Sequence, residues 1–167
     1  MYVGTKSLLK KAGWNMIGGQ PPRGSDALPV IEVKSGLATM RGSYGAYKPD
    51  LVAHKDGVLL LVECKPGHDL NDIDKLRGLL TDPGRLAALM QELQQRKLLD
   101  RCNIPVGLFP QRVFGALAHG GSLVLLPDLI VIHVHDMFGR GCIYPPTDVS
   151  TSRGQLLAEC VVGKAGS

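Results

Sequence analysis

At 167 residues the chain has the length of about one domain, and it can bury one sizeable core without a disulfide or metal staple. Hydrophobic residues make up 44% and charged residues 20%, the balance of an ordinary soluble globular protein. Nineteen Lys and Arg against 15 Asp and Glu give a net charge of +4, which favours a polyanionic partner over a cationic one. Cys64, Cys102, Cys142 and Cys160 are widely spaced, with none of the ligand spacings of a zinc module. They read as reduced cysteines in a cytoplasmic protein. Met1 to Lys11 has no apolar core of signal-peptide length, and no run reaches the ~18 apolar residues of a membrane span.

Thr5 to Ala12 predicts a short helix, with Thr5 as its cap, Leu8 and Leu9 as its apolar side and Gly13 as its end. Gly18 to Ser25 reads as loop. Leu28 to Lys34 alternates as a strand does, and Ser35-Gly36 turns after it. Arg41 to Ala46 is a glycine-rich loop. Two strands follow, Pro49 to His54 and Val58 to Lys65, the second opening with the unbroken apolar run of a central strand. Asp69 and Asp82 are placed as helix caps, the latter with Pro83 at the first helical position. Leu70, Ile73 and Leu76, then Leu86, Leu89, Met90 and Leu93, fall at helical spacing. The second of these helices is expected to run to about Asp100. Ile104 to Phe109 and Leu123 to Leu126 are short strand candidates, and Leu129 to His135 is a further strand. The tail from Pro145 carries few signals, and its last residues are expected to be disordered. Helix, three strands, helices and another strand make an α/β layered pattern.

The chemistry concentrates in the hairpin. Asp56-Gly57 between two strand-like runs predicts a two-residue type I′ turn. That turn pairs Lys55 with Val58, sets Asp50 opposite Glu63 and sets Lys48 opposite Lys65. Residues 48, 50, 52 and 54 then share a face with 59, 61, 63 and 65. Opposed carboxylates have Cβ atoms about 5 Å apart and repel each other. A hard divalent cation offsets that repulsion, since Mg²⁺ takes one or two carboxylates plus waters and phosphate oxygens. Lys65, two residues beyond Glu63, is placed to hold or deprotonate an attacking water, or to steady the phosphate. The alternative is a surface hairpin whose Asp, Glu and Lys form a solvated ion-pair ladder. Against it, Glu63 and Lys65 continue a strand that is apolar from Val58 to Val62.

Lys48-Pro49-Asp50, twelve residues, then Glu63-Cys64-Lys65 resembles the PD-(D/E)xK nuclease superfamily, which includes type II restriction enzymes and Holliday-junction resolvases. The resemblance covers roughly residues 5 to 80. It implies a restriction-endonuclease-like α/β fold, a central mixed sheet flanked by helices, over a single domain of residues 1 to 167. It implies Asp50 and Glu63 as ligands of Mg²⁺ or Mn²⁺, the Cys64 carbonyl as a third ligand, and Lys65 as the catalytic lysine. The activity expected is endonucleolytic hydrolysis of phosphodiester bonds in DNA. Arg41 to Ala53 is similar to the glycine- and serine-rich approach of archaeal-type resolvases, which sets Ser43 and Tyr44 near the scissile phosphate. Those resolvases carry a further acid on the first helix, and Thr5 to Ala12 has none. Glu32 is the substitute, with Asp26 behind it, although Glu32 reads equally as a solvent-facing strand residue.

Arg41 and Lys48 belong to a basic excess in the first third that can track a nucleic-acid backbone. A solvated helix face explains Lys6, Lys10 and Lys11 as well. Tyr44 and Tyr47 are loop tyrosines able to stack on a base. His133 and His135 share one strand face, with no evident third metal ligand, and are read as core or edge histidines. Cutting both strands of a duplex calls for a homodimer, with its interface expected within residues 83 to 136. The rival expectation is a nucleic-acid-binding or structural subunit that keeps the fold without catalysis.

Overall fold

The computed structural model describes residues 1–20, 27–34, 46–66 and 70–162, less the side chains of Leu70, Asn71 and Val162. The chain is α/β. Six strands form one mixed sheet in sequence order: β1 (Asn15–Gly19), β2 (Leu51–Lys55), β3 (Val58–Lys65), β4 (Val113–His119), β5 (Ile130–Val134) and β6 (Gly141–Tyr144). The first three run antiparallel, β3–β4–β5 are parallel, and β6 returns antiparallel. Helix α1 (Tyr2–Lys11) precedes the sheet. Between β3 and β4 lie α2 (Leu70–Thr81), α3 (Pro83–Gln95) and two short helices, α4 (Leu99–Cys102) and α5 (Phe109–Arg112); α6 (Ser152–Val162) closes the chain.

The hairpin forms as the sequence predicts. Asp56 and Gly57 have φ of 49° and 72°, the left-handed pair that a type I′ turn requires. Lys55 pairs with Val58, and the register runs on to Leu51 and Val62. Val58 to Val62 are wholly buried because both faces of the sheet are covered. Val52, Leu59, Leu61 and Leu117 meet Ile73, Leu76 and Leu79 of α2 and Leu86, Leu89 and Leu93 of α3. Leu51, Leu60, Val62, Phe114, Ala116 and Ile132 meet Leu8, Leu9, Trp14 and Leu157 on the other face. A Cβ at Gly115 would lie 2.9 Å from side-chain atoms of Leu76, Leu80 and Leu129, so glycine there lets α2 approach β4. Asp82 caps α3, accepting from the amides of Gly84 at 2.8 Å and Arg85 at 3.2 Å.

Several expectations are corrected. Thr5 does not cap α1; it is buried in the second turn, and its hydroxyl donates to the Met1 carbonyl. Gly18 and Gly19 belong to strand β1 rather than to a loop. Leu28 to Lys34 buries Ile31 and Val33 as its alternation suggests, yet β1 occupies the edge of β2 it would need. Among the described residues its backbone bonds are one bridge, Val33 to Tyr47, and a Pro29 carbonyl accepting from Gly19. Residues 104 to 109 contain a 3-10 turn at Val106–Leu108, and 123 to 126 form no strand. Helix α3 stops at Gln95, short of Asp100, as Lys97 turns left-handed with φ 55°. The tail carries α6. The cap expected at Asp69, the loop 41–45 and Asp26 lie outside the described residues. Among the described residues no helix is long and apolar enough to cross a membrane.

Candidate active site

One step beyond Leu51 and Val62, the last paired residues of the hairpin, stand Asp50 and Glu63. Asp50 sits at a bend just before β2, and its Oδ2 accepts the backbone N–H of Cys64 at 2.7 Å. That bond ties the start of β2 to the end of β3. Glu63 is only 6% exposed, and a carboxylate so buried is costly unless paired. Its Oε1 accepts the hydroxyl of Tyr47 at 2.5 Å. Burial nonetheless pushes the Glu63 carboxyl up to about 7; the Tyr47 hydrogen bond and Lys65 pull it down, while Asp50 and Asp72 push it up. The Tyr47 phenol is itself driven above its ordinary value by burial and then by the Glu63 charge.

Lys65 ends β3 on the same face. Its Nζ lies 2.5 Å from Oδ2 of Asp72, in the first turn of α2. Asp72 also receives Lys75 at 2.9 Å. The hydrogen bond to Asp72 holds the Lys65 ammonium above its ordinary value, and the same bond keeps the Asp72 carboxyl below its own. Lys65 is therefore a positioned cation. Three carboxylates, one lysine and one tyrosine are thus gathered at the C-terminal end of β3, from β3, α2 and the segment before β2.

The expected residues divide clearly. Asp50, Glu63 and Lys65 come together. Lys48 does not pair across the hairpin with Lys65, because the ladder ends at Leu51; its Nζ lies 3.7 Å from Oε2 of Glu32, and both side chains are half-exposed. Glu32 lies off any strand, beside the single Val33–Tyr47 bridge. The Cys64 side chain packs with the cluster on the opposite face, where burial pushes its thiol up to about 12. Only its backbone reaches the site. Arg41, Ser43 and Tyr44 lie outside the described residues.

Two participants, Tyr47 and Asp72, lie outside the motif itself. The sequence places Tyr47 in a loop, able to stack on a base; in the structure it is buried against Glu63. No local signal marks it. Asp72 left a trace: it stands four residues before the buried Leu76, on the stripe of α2 that faces the sheet. An acid on an inward stripe just after the motif is a partner for Lys65.

Among the described residues no group of three or more His, Cys, Asp or Glu is placed to hold a metal ion. A cavity of about 390 Å³ lies at the other end of β3, lined by His54, Lys55, Arg101, Asn103 and Arg112, and includes none of these site residues. No protein-family model, curated protein or solved structure matches the chain.

Proposed function

We propose that this chain is a Mg²⁺- or Mn²⁺-dependent endonuclease acting on DNA, built on a restriction-endonuclease-like core with a PD-(D/E)xK site. The observation that carries the reading is the pair Asp50 and Glu63, held one step beyond the hairpin ladder with Lys65 beside them. The order helix, three antiparallel strands, helices and a fourth strand parallel to the third supports that core.

The donor set suits a hard divalent ion. Asp50 commits one oxygen to the Cys64 amide and Glu63 commits one to Tyr47, which leaves each carboxylate a second oxygen. Two protein carboxylates, completed by water and phosphate, are what Mg²⁺ accepts. The raised Glu63 carboxyl reflects the cost of burying charge beside Asp50, a cost that a bound cation offsets. Such an ion supplies a more acidic water and neutralises charge on the phosphate. The chain's own contributions follow from its contacts. Asp72 fixes the Lys65 ammonium, which donates to a phosphate oxygen or to the attacking water; Tyr47 fixes the Glu63 rotamer. Preorganised donors of this kind contribute most where charge develops in the transition state. Two copies of the chain supply the two sites that cutting a duplex requires.

A cleavage screen with duplex, single-stranded, branched and RNA oligonucleotides, with Mn²⁺ or with EDTA, tests the proposal. Cleavage is expected in Mn²⁺ alone and is lost in Lys65→Ala. Nucleic-acid binding without cleavage in any arm contradicts the catalytic reading and leaves the binding subunit.

A further inference from the structure

The end of β3 continues sideways into a row of histidines that the catalytic reading does not use. In register, Lys65 lies opposite His119 on β4, and His119 lies opposite His133 on β5. Neighbouring strands are about 4.8 Å apart, so this row extends roughly 10 Å from Lys65. The strand period keeps it on one face: Ile130, Ile132 and Val134 pack toward Leu8 and Leu9, so His133 faces the α2 side with Glu63 and Lys65. The row sits at the carboxyl ends of parallel strands, where open α/β sheets bind their ligands. It is continuous with the site, since a Cβ at Gly121 would lie 3.9 Å from the Pro66 carbonyl.

The ring contacts assign the protons. His119 and His133 have centroids 5.3 Å apart, and His133 and His135 4.9 Å. His133 Nε2 is 2.7 Å from the Gly121 carbonyl, which only accepts, so Nε2 carries the proton. In the neutral ring Nδ1 is then an acceptor, and His135 Nε2, 3.3 Å away, donates to it. Both nitrogens of His133 are thereby engaged, which disfavours a transition metal. His135 is exposed, and its Nδ1 remains the ring nitrogen with no bond among the described residues. The neighbouring acid, Asp136, is occupied by Arg140 and by the Phe138 amide. Among the described residues the row therefore presents imidazoles with no free carboxylate between them, which is chemistry for an anion.

We propose that His133 and His135 form a shelf that binds a backbone phosphate of the nucleic-acid strand being cut, displaced from the scissile phosphate along the ends of β4 and β5. The proposal rests on the nuclease reading of Asp50, Glu63 and Lys65, and it names the path of the substrate beside them. Ten ångströms corresponds to about three nucleotides at ~3.4 Å of rise each. His133 anchors the shelf through Gly121, and His135, exposed and turned outward through Nδ1, is the residue that meets the phosphate.

Fluorescence anisotropy of labelled single-stranded and duplex DNA, measured in EDTA, tests the shelf without requiring catalysis. His135→Ala is expected to bind roughly tenfold more weakly, as for one lost charge-assisted hydrogen bond. The slope of log affinity against log salt should fall by about one. His133→Gln should show the same direction, with the far-UV spectrum and melting temperature of both variants reporting the fold. In the active enzyme with Mn²⁺ the loss falls on KM more than on kcat. A folded His135→Ala protein with wild-type affinity and salt slope overturns the shelf even if Mn²⁺-dependent cleavage persists. Absence of cleavage with the affinity loss intact overturns the nuclease reading and leaves the shelf standing. Wild-type protein that binds neither DNA overturns the shelf.

Discussion

The two halves of β3 differ sharply although they share one strand and one sheet. Val58 to Val62 are wholly buried, with apolar neighbours on both faces, and each side chain removed from water stabilises the fold. Glu63 and Lys65 continue the same strand, yet Glu63 is buried with its carboxyl driven up to about 7, and Lys65 needs Asp72 to hold it. The first half is an optimised core; the second keeps charges where the fold alone would place another leucine. That contrast is what supports the proposed site at the last three residues of the strand.

Removing a core side chain gives the largest expected effect. Leu61→Ala should lower unfolding free energy by about 2–5 kcal/mol in denaturant titration, because the site lies between two packed layers with little freedom to collapse. Glu63→Gln should act in the opposite direction. The wild-type carboxyl favours folding in its protonated form, so its contribution is complete below pH 4.5 and is lost as pH rises to about 7. The variant is therefore more stable than wild type above pH 7, by up to about 3 kcal/mol, and the difference vanishes below pH 4.5. Equal stability of the two proteins at pH 8 would remove the contrast between the halves.

Smaller effects sharpen it. Asp72→Asn should cost about 1 kcal/mol of stability, since Lys65 and Asp72 are only partly shielded from solvent. On the proposed nuclease reading its larger consequence is a roughly tenfold fall in cleavage, because Lys65 loses the partner that orients it. A full rate in Asp72→Asn leaves Lys65 positioned by something else. Lys48→Ala, which breaks the 3.7 Å contact with Glu32, should change stability by less than about 0.5 kcal/mol, and 1 M salt should erase the difference.

The hairpin was legible because its signals are local. Asp56-Gly57 dictates the turn, the turn dictates the register, and the register sets Asp50 beside Glu63. The cap at Asp82 was legible for the same reason. Strand β4 was not: Gly115, Ala116 and Ala118 have little strand propensity; glycine at 115 lets α2 pack closely, while Ala116 and Ala118 pack on the opposite face. Strand β1 was hidden by Gly18 and Gly19, whose pairing with β2 is fixed by tertiary contacts. Tyr47 was missed because strand alternation, continued back from Asp50, points it away from Glu63. The bend at Asp50 breaks that alternation and turns the phenol inward. The Tyr47–Glu63 contact is made by a residue outside regular structure, and no local pattern encodes it.

The central claim is that Asp50 and Glu63 together hold a divalent cation. Calorimetric titration of Mn²⁺ into metal-free protein at pH 6, in buffers of different ionisation enthalpy, measures it directly. The account predicts saturable binding with proton release, since Glu63 must give up its proton to coordinate, and loss of that binding in Glu63→Gln with the fold intact. Binding of equal affinity in Glu63→Gln, or no binding by the wild-type protein, would contradict it.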